Sequence, residues 1–141
     1  KEYNWIKNSI RKLIIIWVLL SFLAVLMVTI SNFVYEIWVG PQVKVPYVLS
    51  ITCGVFVIIA NWNNIFAYFI NGVGKVRIQL FYSIFTALLN IPLSILLAKY
   101  FGLGITGIMI ATNCCLIFGS FLFPFQYHKI INNTARGVWN K

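Results

Sequence analysis

The sequence predicts an all-α integral membrane protein built from four antiparallel transmembrane helices, and three observations predict it. Residues 13–33, 47–70, 78–98 and 105–125 form long apolar segments without a single Asp, Glu, Lys, Arg or His. About 20 helical residues at 1.5 Å each cross a hydrocarbon core of roughly 30 Å, so each segment is long enough. Secondly, the chain of 141 residues is 61% hydrophobic and only 9% charged. A soluble domain carries about 25% charged residues, so this chain lacks the polar surface to cover a globule in water. Thirdly, the basic residues fall on one side of the segments. Lys1, Lys7, Arg11 and Lys12 precede the first, Lys75 and Arg77 separate the second from the third, and Lys129, Arg136 and Lys141 follow the fourth. Only Lys44 and Lys99 fall on the other side. The positive-inside rule then places both ends and the 71–77 loop in the cytoplasm.

The first segment follows a basic stretch, as a signal peptide would, but it is too long for a signal core and no A-x-A-like site follows it. It reads as a retained span. A chain beginning at Lys1 rather than Met reads as a piece of a longer protein. Gly40-Pro41 and Pro46 punctuate the first outer loop, with Pro46 just ahead of the second span, where a missing N–H costs little. Tyr35, Trp38, Tyr47, Tyr100 and Phe101 mark the outer interface, and Trp5, Tyr68, Tyr82, Tyr127 and Trp139 the inner one. The connections are short, so sequential helices are expected to pack as antiparallel neighbours.

The second span carries a polar stripe. Tyr47, Ser50, Gly54, Asn61, Asn64, Tyr68 and Asn71 fall largely three, four or seven residues apart, on one helical face, with Asn63 beside them. In the third span Gln79, Ser83, Thr86, Asn90 and Ser94 repeat the theme, and Pro92 removes the donor for the Leu88 carbonyl, predicting a kink. Two readings stand side by side. Amides and hydroxyls join helices, at roughly 0.6–2 kcal/mol per bond; or two facing stripes line a water-filled cavity. In the fourth span Gly107, Ala111, Cys115 and Gly119 recur every four residues, a pattern that lets backbones approach closely.

Several function classes find no support. The bases lie between spans rather than on a soluble face, which excludes a nucleic-acid footprint. With only Glu2 and Glu36 as acids, both outside the spans, there is no intramembrane acid–base pair, so the chain is not read as an enzyme. His128 reads as interfacial, Cys53, Cys114 and Cys115 read as small packing residues, and no metal or cofactor signature is present. Gly72-Val73-Gly74-Lys75 lacks the spacing of a phosphate-binding loop. Any coupling ion would need amides, carbonyls or a residue outside this chain.

Three motifs occur in order: Asn71-Gly72-Val73-Gly74-Lys75, Asn90-Ile91-Pro92-Leu93-Ser94 and Gly102-Leu103-Gly104-Ile105-Thr106-Gly107. Their series resembles the C-terminal end of the polysaccharide-biosynthesis membrane proteins, the O-antigen and lipid-linked oligosaccharide flippases of the multidrug/oligosaccharidyl-lipid/polysaccharide exporter superfamily. The resemblance covers roughly residues 1–130. It implies the last four helices of a two-lobe transporter of about twelve helices in the bacterial inner membrane. It further implies alternating access that flips a polyprenyl-diphosphate-linked oligosaccharide, with membrane lipids and the remaining helices of the parent as partners. On that reading Asn61, Asn64, Tyr68, Thr86 and Asn90 are the cavity candidates, and Lys75 and Arg77 the candidates for diphosphate or lipid headgroups. The rival is a small four-helix membrane protein that acts as a structural or accessory subunit. A four-span drug exporter is disfavoured by the lack of an acid in the first span.

Overall fold

The computed structural model describes residues 2–40, 42 and 45–140. Lys1, Pro41, Lys44 and Lys141, used in the charge and turn arguments above, lie outside the described residues. The chain forms α1 (Glu2–Thr29), α2 (Ser31–Trp38), α3 (Tyr47–Val73), α4 (Arg77–Ile95), a π-helical turn (Leu96–Tyr100), α5 (Gly104–Ile131) and a 3-10 turn (Gly137–Asn140). Four helical stretches are long and apolar enough to cross a membrane: Asn4–Thr29, Tyr47–Val73, Arg77–Tyr100 and Gly104–Ile131.

The first span differs most from expectation. It begins near the chain start, so Lys7, Arg11 and Lys12 ride on α1 itself, and it ends at Thr29 rather than at residue 33. No Gly or Pro interrupts residues 2–29, so nothing stops the helix from running back through the basic stretch. At Ile30 the backbone leaves helical geometry (φ −93°, ψ 1°). Flanking it, the Thr29 and Ser31 hydroxyls donate to the Leu26 and Val28 carbonyls, the kind of local bond that competes with the helix ladder.

The other boundaries have local causes. Gly74 caps α3 in the left-handed region (φ 73°), its N–H donating to Asn71 O, while the Lys75 N–H reaches back to Ile70 O. The first of the three motifs is therefore a glycine-capped helix end. Pro92 does not terminate α4, which continues to Ile95 and then widens into the π turn, where the Phe101 N–H donates to Leu96 O at 3.1 Å.

Two of the three consecutive span pairs pack together, and the non-consecutive second and fourth spans form the centre. The closest-packed pair is α3 with α5; α1 lies on α3, and α4 lies on α5. Side-chain bonds fix the register: Asn113 to Thr52, Asn63 to Leu116, Trp62 to Ser120 and Gln126 to Lys75. The residue numbers rise together, so the central pair, the second and fourth spans, runs parallel, as two spans separated by one do when successive helices alternate in direction. Short loops constrain only consecutive helices, and the small-residue face of α5 seats it closely against the α4 span, with Gly119 also near Asn63 of α3. Gly107, Ala111, Cys115 and Gly119 are all buried. A Cβ on Gly107 would lie 2.7 Å from the Leu97 and Ala98 backbone, and one on Gly119 would lie 2.7 Å from the Tyr82 hydroxyl. The buried core gathers Ile10, Ile65, Phe66, Ala67, Ile70 and Phe123 near the basic end of the bundle.

Candidate functional site

Along α3 the polar positions divide by direction. Asn63 points into the α3–α5 seam and is 4% exposed. Its Nδ2 donates to Leu116 O at 3.0 Å. Asn61, Asn64, Tyr68 and Asn71 are exposed. At 100° per residue these four fall within an arc of about 80° and extend over about 15 Å. Asn61 Nδ2 donates to the Val57 carbonyl of its own helix at 2.8 Å, and the Asn64 amide has no partner among the described residues.

Asn61, Asn64 and Tyr68 form one wall of a cleft of ≈ 170 Å³ between α3 and α1. Leu13, Ile16, Trp17 and Leu20 of α1 form the other wall, and Ile65 lines its floor. The two helices are held at this spacing by the Trp17 indole, which donates to Ile58 O at 2.9 Å and packs on Trp62 at 4.9 Å between ring centroids. The cleft is mostly apolar in surface, with the polar side chains Asn61, Asn64 and Tyr68 on its α3 side. It offers amide and phenol hydrogen bonds beside a hydrocarbon wall.

Thr86 and Asn90 lie elsewhere. The Thr86 hydroxyl turns back to the Tyr82 and Ser83 carbonyls of its own helix. Asn90 donates to Thr112 Oγ1 of α5 at 3.3 Å and accepts from Ser94 Oγ at 2.7 Å. Here the helix-joining alternative describes the contacts. With α5 standing beside both α3 and α4, the two stripes do not meet across one cavity. Of the two cationic candidates, Lys75 is half-buried and Arg77 is exposed at the start of α4. Both sit where α3 ends, beyond the Tyr68 end of the cleft. Lys129, at the same end of the bundle, is held over the rings of Phe125 (4.7 Å) and Trp139 (4.4 Å).

Two amides of α5 close it on α3. Asn113 Nδ2 donates to Thr52 O at 2.9 Å, and Gln126 Nε2 to Lys75 O at 2.9 Å. Gln126, which sequence reasoning passed over, is wholly buried. It lies one residue past the expected end of the fourth span. The available signal was its spacing from Gly119 and Cys115, seven and eleven residues, which continues the small-residue face. Trp17, similarly, was hidden in an unbroken apolar run.

No protein-family model, no curated protein and no solved structure matches the chain.

Proposed function

We propose that this chain is part of a transporter that flips a polyprenyl-diphosphate-linked oligosaccharide across the bacterial inner membrane by alternating access, with both ends of the chain cytoplasmic. The observation that carries the reading is the two-sided cleft. A lipid-linked sugar needs hydrogen-bonding groups for its hydroxyls and hydrocarbon for its tail. The α3 wall of Asn61, Asn64 and Tyr68 supplies the first, and the α1 wall of Leu13, Ile16 and Leu20 the second. Lys75 and Arg77, past the end of that wall, are placed to attract a diphosphate by charge-assisted bonds. Asn61, Asn64 and Tyr68 are the substrate candidates, and the remaining helices of a longer parent would complete the enclosure. Asn90 is assigned to holding α4 on α5, and Thr86 spends its hydroxyl on its own helix, which narrows the substrate set to the α3 face.

The test is translocation of sugar repeat units to the outer leaflet in cells making the intact protein. Replacing Asn61 and Asn64 together by Leu is expected to abolish transport at unchanged membrane levels. Normal transport by that variant would remove the basis of the reading. Asn90→Leu is the contrast: its effect should fall on protein level rather than on transport per molecule.

A second reading, a four-helix accessory subunit without transport of its own, is favoured by the outer faces of α1 and α4. Phe22 and Leu88, on these helices, are 73% and 68% exposed, and such faces fit partner helices as well as lipid.

A further inference from the structure

The Ser21 hydroxyl lacks the local bond that most hydroxyls of the spans make. Thr52, Ser83, Thr86, Thr112 and Ser120 all turn their hydroxyls onto carbonyls three or four residues earlier in their own helices, the ordinary way to satisfy such a group in a span. The Ser21 hydroxyl is buried and has no partner at all among the described residues. Ser21 lies eight residues past Leu13 and eight before Thr29, deep in the first apolar segment. An unbonded hydroxyl there costs free energy unless something occupies the space beside it.

That space exists. A small, partly open void of ≈ 10 Å³ is lined by Trp17, Leu20, Ser21, Val57, Ile58 and Asn61. This is about the volume one water molecule requires, and a water also needs at least two polar partners. Besides Trp17, whose N–H serves Ile58 O, the polar side chains lining it are Ser21 and Asn61. Ser21 Oγ both donates and accepts, and Asn61 Oδ1 accepts from nothing among the described residues, because only the Nδ2 of that amide is engaged. The register agrees. Gly54 of α3 lies against the Val28 side chain of α1, where a Cβ would come within 2.6 Å of it. Seven residues back along α1 is Ser21, and seven residues on along α3 is Asn61, a two-turn step in each helix. The void also shares Trp17, Leu20 and Asn61 with the larger cleft.

We infer that Ser21 and Asn61 hold a water molecule at the blind end of an aqueous crevice that enters between α1 and α3 from the basic end and reaches the middle of the first span. Asn61 is the hinge of the arrangement, its amide facing the open cleft on one side and the void on the other. Ser21 thereby joins the polar path from α1, the helix whose cleft wall is otherwise apolar. The inference concerns water access and holds whether or not the chain moves a sugar lipid.

The test uses the full chain in sealed membrane vesicles, with Cys53, Cys114 and Cys115 replaced by Ala. Single cysteines are introduced as Ser21→Cys, Phe22→Cys and Gly72→Cys, and each is treated with the membrane-impermeant reagent trimethylammonioethyl methanethiosulfonate from either side. Gly72 is exposed, and a Cβ there meets nothing within 4 Å, so it reports which side the basic end faces. From that side Ser21→Cys is expected to react at least about tenfold faster than Phe22→Cys, since the thiolate is the nucleophile and hydrocarbon suppresses its formation. Adding Asn61→Leu should return the Ser21→Cys rate to that of Phe22→Cys. Equal rates at 21 and 22, or a Ser21→Cys rate indifferent to Asn61→Leu, would overturn the inference. Asn61→Cys probes the same void from α3 if Ser21→Cys does not accumulate. Because the readout is labelling, failure here is distinct from a failure to transport.

Discussion

Two buried amides in the α3–α5 seam look alike but carry different weight, because the carbonyls they serve differ. Leu116 O, which receives Asn63, belongs to a mid-helix residue whose carbonyl already serves the helix ladder. Lys75 O lies beyond the glycine cap of α3, outside any ladder, and receives Gln126. Each amide also buries an oxygen with no donor. Asn63→Leu therefore removes one bond and one unsatisfied oxygen together, and its cost is expected to stay within about 1 kcal/mol. Gln126→Met strips the Lys75 carbonyl of its side-chain partner in a wholly buried place and should cost about 1–3 kcal/mol. Unfolding by sodium dodecyl sulfate in mixed micelles measures both, and equal losses would contradict the distinction. These roles were only partly legible in the sequence. Periodicity separates Asn63 from the Asn61–Asn64–Tyr68 face, but it cannot say which neighbouring helix either face meets. The stripe on α3 was readable for that reason, whereas its expected partnership with Thr86 and Asn90 was not.

At the level of the helices, existence and approximate length follow from hydrocarbon thickness, and all four apolar segments became helices. What loop length could not give is the non-consecutive contact of α3 with α5, since it restricts only where the next helix begins. Glycine sets how closely the consecutive third and fourth spans approach. Gly107 lets α5 approach the π turn after Pro92 so closely that a methyl group would press on the Leu97 carbonyl carbon and oxygen and the Ala98 nitrogen. These are backbone atoms that cannot rotate away, so Gly107→Ala is expected to destabilise by about 1–3 kcal/mol through overpacking. Gly72 offers the opposite case. It lies in the last turn of α3, exposed, with open space around its Cα and no left-handed φ. Gly72→Ala should leave stability unchanged or raise it by up to about 1 kcal/mol. The two variants compared in one unfolding series test whether close approach, rather than glycine content, holds the bundle together.

For the whole molecule, orientation rests on charge. By sequence, nine bases fall at one end of the four spans and two at the other. The structure adds that Lys7, Arg11 and Lys12 extend α1 as a helix into the basic end, while Lys129 is braced there between two aromatic rings. A topology resting on so many contributions does not depend on any one loop. Replacing Lys75 and Arg77 by Gln leaves seven bases against two, so the orientation should persist. The same variant should weaken attraction to anionic headgroups or to a diphosphate, where each base near the surface is worth about 1 kcal/mol. The measurement is labelling of Gly72→Cys from each side of sealed vesicles, with and without the two substitutions, alongside protease access to tags on both chain ends. Both tags and residue 72 are expected on one side in both proteins. Tags on opposite faces would require an odd number of crossings and would mean that one of the four apolar helices does not span. A reversal caused by the two Gln substitutions alone would mean that the short turn between α3 and α4, rather than the summed charge of the basic end, sets the direction in which the bundle inserts.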